Sequence, residues 1–266
     1  MPTGSSGIHR HSYDGHNDRV MRMQESNLVG RRVLVTGGSS GIGRATALAF
    51  ASEGAAVIAT ARRGDELAAL CDEADSLPGT IETVAGNLTD ADFPAALAKA
   101  ADPADVLVNC AGMLGHGPFL DTDPAEWPKV WELNVHALMC VSQAIGRGMR
   151  ARGSGHIINV TSILAGRAYR YTLPYTATKH AVRGVSRGLR VELAEFGIKV
   201  TEVAPGLTAT PILDSFSDDD AAADYDARPY QPLDAHEVAL VIVRVALSGP
   251  NTCPERVEVH PLGQTA

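Results

Sequence analysis

Short apolar runs alternate with longer stretches of helical periodicity along most of the chain. Val33–Val35 is an apolar, β-branched run of strand length; Thr36–Gly43 turns sharply, and Arg44–Ala51 continues as a helix. The strand pattern returns at Ala56–Ala61, Thr80–Ala85, Asp105–Gly112, Gly155–Ser162, Lys199–Ala204 and Arg256–Val259. Helices are predicted between them over Asp65–Ala74, Asp90–Ala101, from about Pro124 to Arg152, over Leu173–Phe196 and over Asp234–Leu247. Pro78-Gly79 breaks the first of these, Pro128 falls in the first turn of the third, and Gly197 ends the fourth. Strands that alternate with helices build βαβ units. The expected fold is therefore α/β: a doubly wound, Rossmann-like parallel sheet of about seven strands with helices on both faces.

Composition narrows the picture. A chain of 266 residues that is 45% hydrophobic suits one α/β domain, here residues 29–266. Residues 1–28 hold glycine, serine, three histidines and scattered charges without apolar periodicity, and read as a disordered extension. A net charge of −8 with no Lys/Arg block argues against nucleic acid or an anionic membrane as partner. Cys71, Cys110, Cys140 and Cys253 lie far apart with no C-x-x-C pair, the pattern of reduced thiols rather than metal ligands, so no metal site is expected. With no apolar run of 18 residues and no signal-peptide core, the expected location is the cytoplasm.

The residues with chemistry gather where the strands end. Glycines 37, 41 and 43 remove side chains where a strand must turn and a ligand must approach. The following helix start offers unpaired N–H groups and a positive dipole end, a site for a pyrophosphate. Arg62, Asn87, Asn109 to Gly112, Ser162 and Pro205-Gly206 fall at the same sheet edge, where ligands bind in such folds. Tyr175 and Lys179 stand one helical turn apart on one face. An ammonium there favours the phenolate and lowers the tyrosine pKa, making a proton donor to a carbonyl or an acceptor from an alcohol. Ser162 can polarise a substrate carbonyl, and Asn134 sits inside a long helix where asparagine is poorly placed.

Taken in this order, Thr36-Gly-Gly-Ser-Ser-Gly-Ile-Gly43, Asn109-Cys-Ala-Gly112, Asn134, Ser162, Tyr175-x-x-x-Lys179 and Pro205-Gly206-x-x-x-Thr210 resemble the single-domain short-chain dehydrogenase/reductase family, over roughly Val29 to Gln264. The resemblance implies that Tyr175 moves the substrate proton and Ser162 fixes the carbonyl. It implies that Lys179 lowers the tyrosine pKa and binds the nicotinamide ribose, and that Asn134 holds a water relaying protons. It places the cofactor against Gly37, Ser39, Ser40, Gly41, Ile42, Gly43, Asn109, Ala111, Gly112, Pro205, Gly206, Thr208 and Thr210, with Asn87 and Leu88 at the adenine. Where relatives using NAD carry an acid at the end of the second strand, this chain has Ala61 followed by Arg62 and Arg63. The guanidinium fork suits a 2′-phosphate, so the expected cofactor is NADP(H), with Arg62 as the main phosphate contact. The family's Asn-Ala-Gly turn carries one change here, Cys110 after Asn109, at a residue the family commonly varies.

The expected activity is hydride transfer between this cofactor and a ketone, aldehyde or secondary alcohol. The rivals are a non-catalytic dinucleotide-binding regulator on the same fold, and an epimerase or dehydratase. Leu207–Leu233 reads as a substrate lid, with Ile212, Leu213, Phe216 and Tyr225 as its apolar residues and Asp218–Asp220 as a solvated face. Leu164, Tyr169, Tyr171 and Met113–Phe119 are further pocket candidates, for a medium-sized carbonyl or alcohol with apolar parts. Small residues at Ala177, Ala181, Gly184 and Gly188 trace one helical stripe; with the family's habit of pairing its long helices, this points to a homodimer or homotetramer.

Overall fold

The structure, a computed structural model, describes residues 28–115, 117–215 and 227–264. The expected extension, apart from Leu28, and the lid residues Phe216, Asp218–Asp220 and Tyr225 lie outside the described residues. Leu28 itself is buried, 4% exposed, in the core cluster that holds Val33 and Phe50.

Seven strands form one parallel sheet: β1 (Arg32–Thr36), β2 (Ala56–Ala61), β3 (Thr80–Ala85), β4 (Val106–Asn109), β5 (Gly155–Val160), β6 (Ile198–Pro205) and, after a short β7–β8 pair (Thr208–Ala209 and Leu233–Asp234), β9 (Arg256–Val259). Their order across the sheet is β3-β2-β1-β4-β5-β6-β9. The direction of winding reverses between β1 and β4, and that opens a crevice beyond the carboxyl ends of the strands. Central strands are buried and mostly apolar because helices cover both their faces, with Asn109, His156, Asn159, Thr201 and Glu202 as buried polar exceptions. One face carries α1 (Gly41–Ser52), α2 (Gly64–Ala74) and α7 (Ala235–Ala246), packed through Val33, Val35, Phe50, Leu67, Val238 and Ile242. The other carries α3 (Phe93–Ala101), α5 (Leu138–Arg152) and α6 (Leu173–Leu193), packed through Leu34, Leu97, Leu107, Val141, Ile145 and Ile157. Asp234 caps α7 with a capping box: its carboxylate accepts from His236 N at 2.7 Å and Glu237 accepts from Asp234 N at 2.7 Å. Among the described residues no helix is long and apolar enough to cross a membrane.

The expected helix from Pro124 to Arg152 is not continuous. It starts as a 3₁₀ turn (Pro124–Glu126), becomes α4 (Trp127–Trp131), widens into a π-turn over Glu132–Ala137 and resumes as α5. The π-turn is centred on Asn134. The strands expected to run to Gly112 and Ser162 stop at Asn109 and Val160, which leaves Cys110–Gly112 and Thr161–Ser162 as crevice floor.

Candidate active site

Two glycines make the turn after β1 possible. Gly37 has φ +74°, and a Cβ there would meet the Ala111 backbone at 2.9 Å; a Cβ on Gly43 would meet Gly37 O at 2.3 Å. Thr36 fixes the far side of the crevice, its Oγ1 accepting from Cys110 N at 3.0 Å and Ala111 N at 3.1 Å, so the ends of β1 and β4 are tied together. Gly41, Ile42 and Gly43 line the crevice at the start of α1, where the first N–H groups of a helix have no acceptor within it. At the end of β2, Arg63 donates to Ser39 Oγ at 3.0 Å, and exposed Arg62 lines the rim beside it. Arg63, not only Arg62, is therefore held towards the turn. Asn87 uses its amide within its own turn: Oδ1 accepts from Thr89 N at 3.3 Å and Nδ2 donates to Asp90 at 3.1 Å.

The proton-handling groups meet on the opposite wall. Ser162 is the N-cap of a 3₁₀ turn (Ile163–Ala165), and its Oγ accepts from Leu164 N at 3.1 Å. Its hydroxyl faces the Tyr175 phenol and favours the phenolate. Lys179, 6% exposed, lies with Nζ 5.4 Å from the centre of the Tyr175 ring and donates to Val160 O at 3.1 Å. Burial is the largest influence on all three titratable groups here. It pushes the half-buried Tyr175 phenol up to about 12, against the hydrogen bond from Ser162, which favours the phenolate. It brings Lys179 down to about 8, against the attraction of Cys110 and Glu202, and pushes the Cys110 thiol up to about 12. Burial, with Cys110 adding to it, sets the direction at Tyr175 rather than the lowering expected from Lys179, and the phenol holds its proton at neutrality.

Asn134 is 1% exposed. Its Oδ1 accepts from Met113 N at 2.8 Å, and its Nδ2 donates to Met113 O at 2.9 Å and Thr178 Oγ1 at 3.1 Å. Thr178 in turn donates to Tyr175 O at 2.7 Å. A Cβ on Gly112 would lie 3.3 Å from Asn134 Oδ1 and 3.8 Å from Lys179 Nζ, so these groups close around the β4 end.

The crevice has a volume of about 470 Å³. Of the residues expected to form the site, all line it except Asn134, which stands behind Met113, and Asn109. The Asn109 side chain points beneath the sheet, donating at 2.9 Å to both Ser142 Oγ and Asn159 Oδ1. Asn159 donates to Ser186 Oγ at 2.9 Å, and Ser186 to Val182 O at 2.8 Å. Asn109 is part of the scaffold. Tyr169, Leu164, Ile212 and Leu213 reach the crevice as expected; Tyr171 does not, and of Met113–Phe119 only Leu114 does among the described residues. Cys110 lines it within the expected Asn109–Gly112 stretch, and Thr172, Arg228 and Gln264 line it without having been singled out. Gln264 Oε1 accepts from Leu207 N at 3.1 Å, folding the end of the chain onto Pro205-Gly206.

The family model for short chain dehydrogenase matches residues 31–221. A 2-keto-3-deoxy-L-fuconate dehydrogenase of Xanthomonas campestris pv. campestris is 34% identical over 253 residues, covering 91% of this chain and 82% of that protein. L-Sorbose reductase from Gluconobacter frateurii, solved with NADPH and L-sorbose, matches with a TM-score of 0.81 and 27% identity over 91% of this chain and all of that one. A gluconate 5-dehydrogenase from Burkholderia cenocepacia J2315, solved with NADP and tartrate, matches with a TM-score of 0.79 and 28% identity over 88% of this chain and 95% of that one. The chain belongs to the short-chain dehydrogenase/reductase family of oxidoreductases.

Proposed function

We propose that the protein is an NADP(H)-dependent reductase of a ketone or aldehyde, or the reverse dehydrogenase of a secondary alcohol, with Tyr175 as general acid and base. The observation that carries this is the meeting of Ser162, Tyr175 and Lys179, with Lys179 Nζ 5.4 Å from the Tyr175 ring centre, on the wall of a crevice whose other end is a glycine turn. The turn fits a dinucleotide: Cβ atoms are excluded at 37 and 43, and the first N–H groups of α1 are open to a pyrophosphate. Arg62 and Arg63 present two guanidinium forks where a 2′-phosphate would lie, and the relatives solved with NADP or NADPH support that choice.

A bound nicotinamide supplies the hydride, or accepts it, at its C4. Ser162 donates a hydrogen bond to the substrate oxygen and orients it. Tyr175 gives its phenolic proton to that oxygen as the carbonyl carbon is reduced, and takes it back in the oxidation direction. Lys179, cationic through most of the neutral range, stabilises the phenolate left behind. Asn134 acts by position: its amide is committed to Met113 and Thr178, so it holds the crevice floor rather than offering its side chain to a water. A homodimer or homotetramer is part of the same reading; exposed Trp131, Met139 and Val191 and open space at Gly184 and Gly188 support contact through α4, α5 and α6.

The test is paired titration with NADPH and NADH, followed by turnover of wild type and Tyr175→Phe. NADPH binding at least about tenfold tighter than NADH is expected, with activity lost in Tyr175→Phe and NADPH affinity kept within about threefold. Turnover retained by Tyr175→Phe removes the proposed acid. Equal affinity for the two nucleotides removes the phosphate assignment.

A further inference from the structure

The crevice runs along the sheet edge from Arg62 and Arg63, which follow β2, to Ser162 after β5 and Tyr175 on α6. β6 is the neighbour of β5, and the corner Pro205-Gly206-Leu207-Thr208 that follows it lines the crevice at the end where the reacting groups stand. Thr161 N donates to Val203 O at 2.8 Å and joins the two strand ends.

Between β6, which stops at Pro205, and the two-residue β7, Gly206 and Leu207 belong to no strand. Their backbone is tied from elsewhere. Gly206 N donates to Val259 O at 2.6 Å, and Leu207 O accepts from Leu233 N at 2.9 Å. Thr208 Oγ1 donates to Gly206 O at 3.0 Å. Leu207 N donates to Gln264 Oε1 at 3.1 Å, and of these ties it alone depends on a side chain from outside the corner. Gln264 is 6% exposed and itself lines the crevice. A buried amide needs partners, and here its oxygen is committed to a backbone N–H.

The turn that carries Gln264 has little latitude. Gln264 N donates to Pro261 O at 2.9 Å and closes it. A Cβ on Gly206 would clash with Gln264 Oε1 and lie 2.8 Å from Pro261 Cδ, and a Cβ on Gly263 would lie 2.7 Å from Tyr230 Cβ. The turn is thus wedged between Gly206 and Tyr230, and its amide reaches past Gly206 to the crevice.

We propose that Gln264 is a positioning residue for the reaction: through Leu207 N it sets the corner Pro205-Gly206-Leu207-Thr208 for the nicotinamide half of the cofactor. This rests on the NADP(H) oxidoreductase reading given above. That reading puts the 2′-phosphate at Arg62 and Arg63, the far end of the crevice, so Gln264 should bear on one half of the nucleotide and not on the other.

The probe that separates the halves is 2′,5′-ADP, which has the adenine, ribose and 2′-phosphate but no nicotinamide. It and NADPH are titrated calorimetrically into wild type, Gln264→Met, Gln264→Glu and Gly263→Ala. Gln264→Met keeps the side-chain length and removes the acceptor; NADPH should weaken at least about threefold relative to 2′,5′-ADP. The emission of bound NADPH, which arises in its dihydronicotinamide, should move back towards that of free NADPH in the same variant. Gln264→Glu keeps an oxygen for Leu207 N and should lie between Gln264→Met and wild type. Gly263→Ala displaces the turn from the Tyr230 side, outside the crevice, and should shift the affinity ratio in the same direction. An unchanged ratio in Gln264→Met overturns the role: if both ligands hold, the corner stands without the amide, and if both weaken equally, Gln264 serves the fold at large. A wild type that binds neither ligand strikes the oxidoreductase reading instead, which separates the two.

Discussion

Replacing Asn134 by leucine keeps the branched shape and heavy-atom count of the side chain and removes the three hydrogen bonds that the amide makes to Met113 N, Met113 O and Thr178 Oγ1. Each is worth about 1 kcal/mol net, so about 3 kcal/mol is at stake before the partners are considered. Thr178 keeps its own acceptor, Tyr175 O, and loses only an incoming donor. Met113 loses both its backbone partners, and where water cannot reach them the cost rises by about 1–3 kcal/mol for each group. Leucine returns only about 0.5 kcal/mol through its better helix propensity. The expected outcome is a loss of at least about 4 kcal/mol in urea unfolding at fixed protein concentration, with the denaturant slope unchanged. Turnover measured well below the unfolding midpoint should fall at least about tenfold, because Met113 follows Gly112 on the crevice floor and a small misplacement of reacting groups is expensive. A stability loss under about 1 kcal/mol with normal turnover would refute the reasoning: it would mean that Met113 finds other partners and that the π-turn stands without its asparagine.

Burial holds His156 neutral, pushed down to about 3, with Lys199 adding to the shift. Between about pH 6.5 and 3 the unfolded chain takes up a proton that the folded one refuses. Stability from this group is therefore full above 6.5 and falls with pH by about 1.4 kcal/mol per unit below it. His156→Gln should show a shallower acid slope in urea unfolding between pH 6.5 and 5, and identical slopes would exclude His156 as the cause. Gly43→Ala places a Cβ 2.3 Å from Gly37 O and should cost about 1–3 kcal/mol and weaken NADPH in a fluorescence titration. Gly146→Ala, where a Cβ meets nothing within 4 Å, should instead gain about 0.5–1 kcal/mol in a thermal melt. Oxidation of an alcohol should speed up as pH rises from 7 to 9 while carbonyl reduction does not, since burial leaves Tyr175 protonated at neutrality; a flat oxidation profile would argue against Tyr175 as the base.

The sheet was legible because a strand covered on both faces is mostly apolar, as β1 and β4 are, while β5 and β6 keep short apolar runs around His156, Asn159, Thr201 and Glu202. The crevice followed from chain order, since carboxyl ends of parallel strands gather on one edge. The break in the long helix was not legible: a 3.6-residue period is blind to one inserted residue, and the only trace was an asparagine at a buried position. Asn109 was misplaced for a similar reason. It ends a strand beside the crevice, but side chains alternate, and its register opposite Asn159 turns it under the sheet. Arg228 and Gln264 arrive by tertiary closure and leave no local pattern. The tyrosine pKa needed burial, which a Y-x-x-x-K spacing does not encode.

The row Asn109–Asn159–Ser186, with Ser142 joined to Asn109, runs in one direction. Each amide NH2 donates onward, and the last hydroxyl ends on the Val182 carbonyl. Such a row has a polarity fixed by its terminus, so no member can reverse its role without stranding the next. Over evolutionary time these positions are then exchangeable only together: a lone apolar substitution leaves a buried donor or acceptor open, whereas replacing the whole set by apolar residues leaves none. Drift in the floor of this sheet should proceed by concerted change, and the strands that carry the crevice inherit its conservatism.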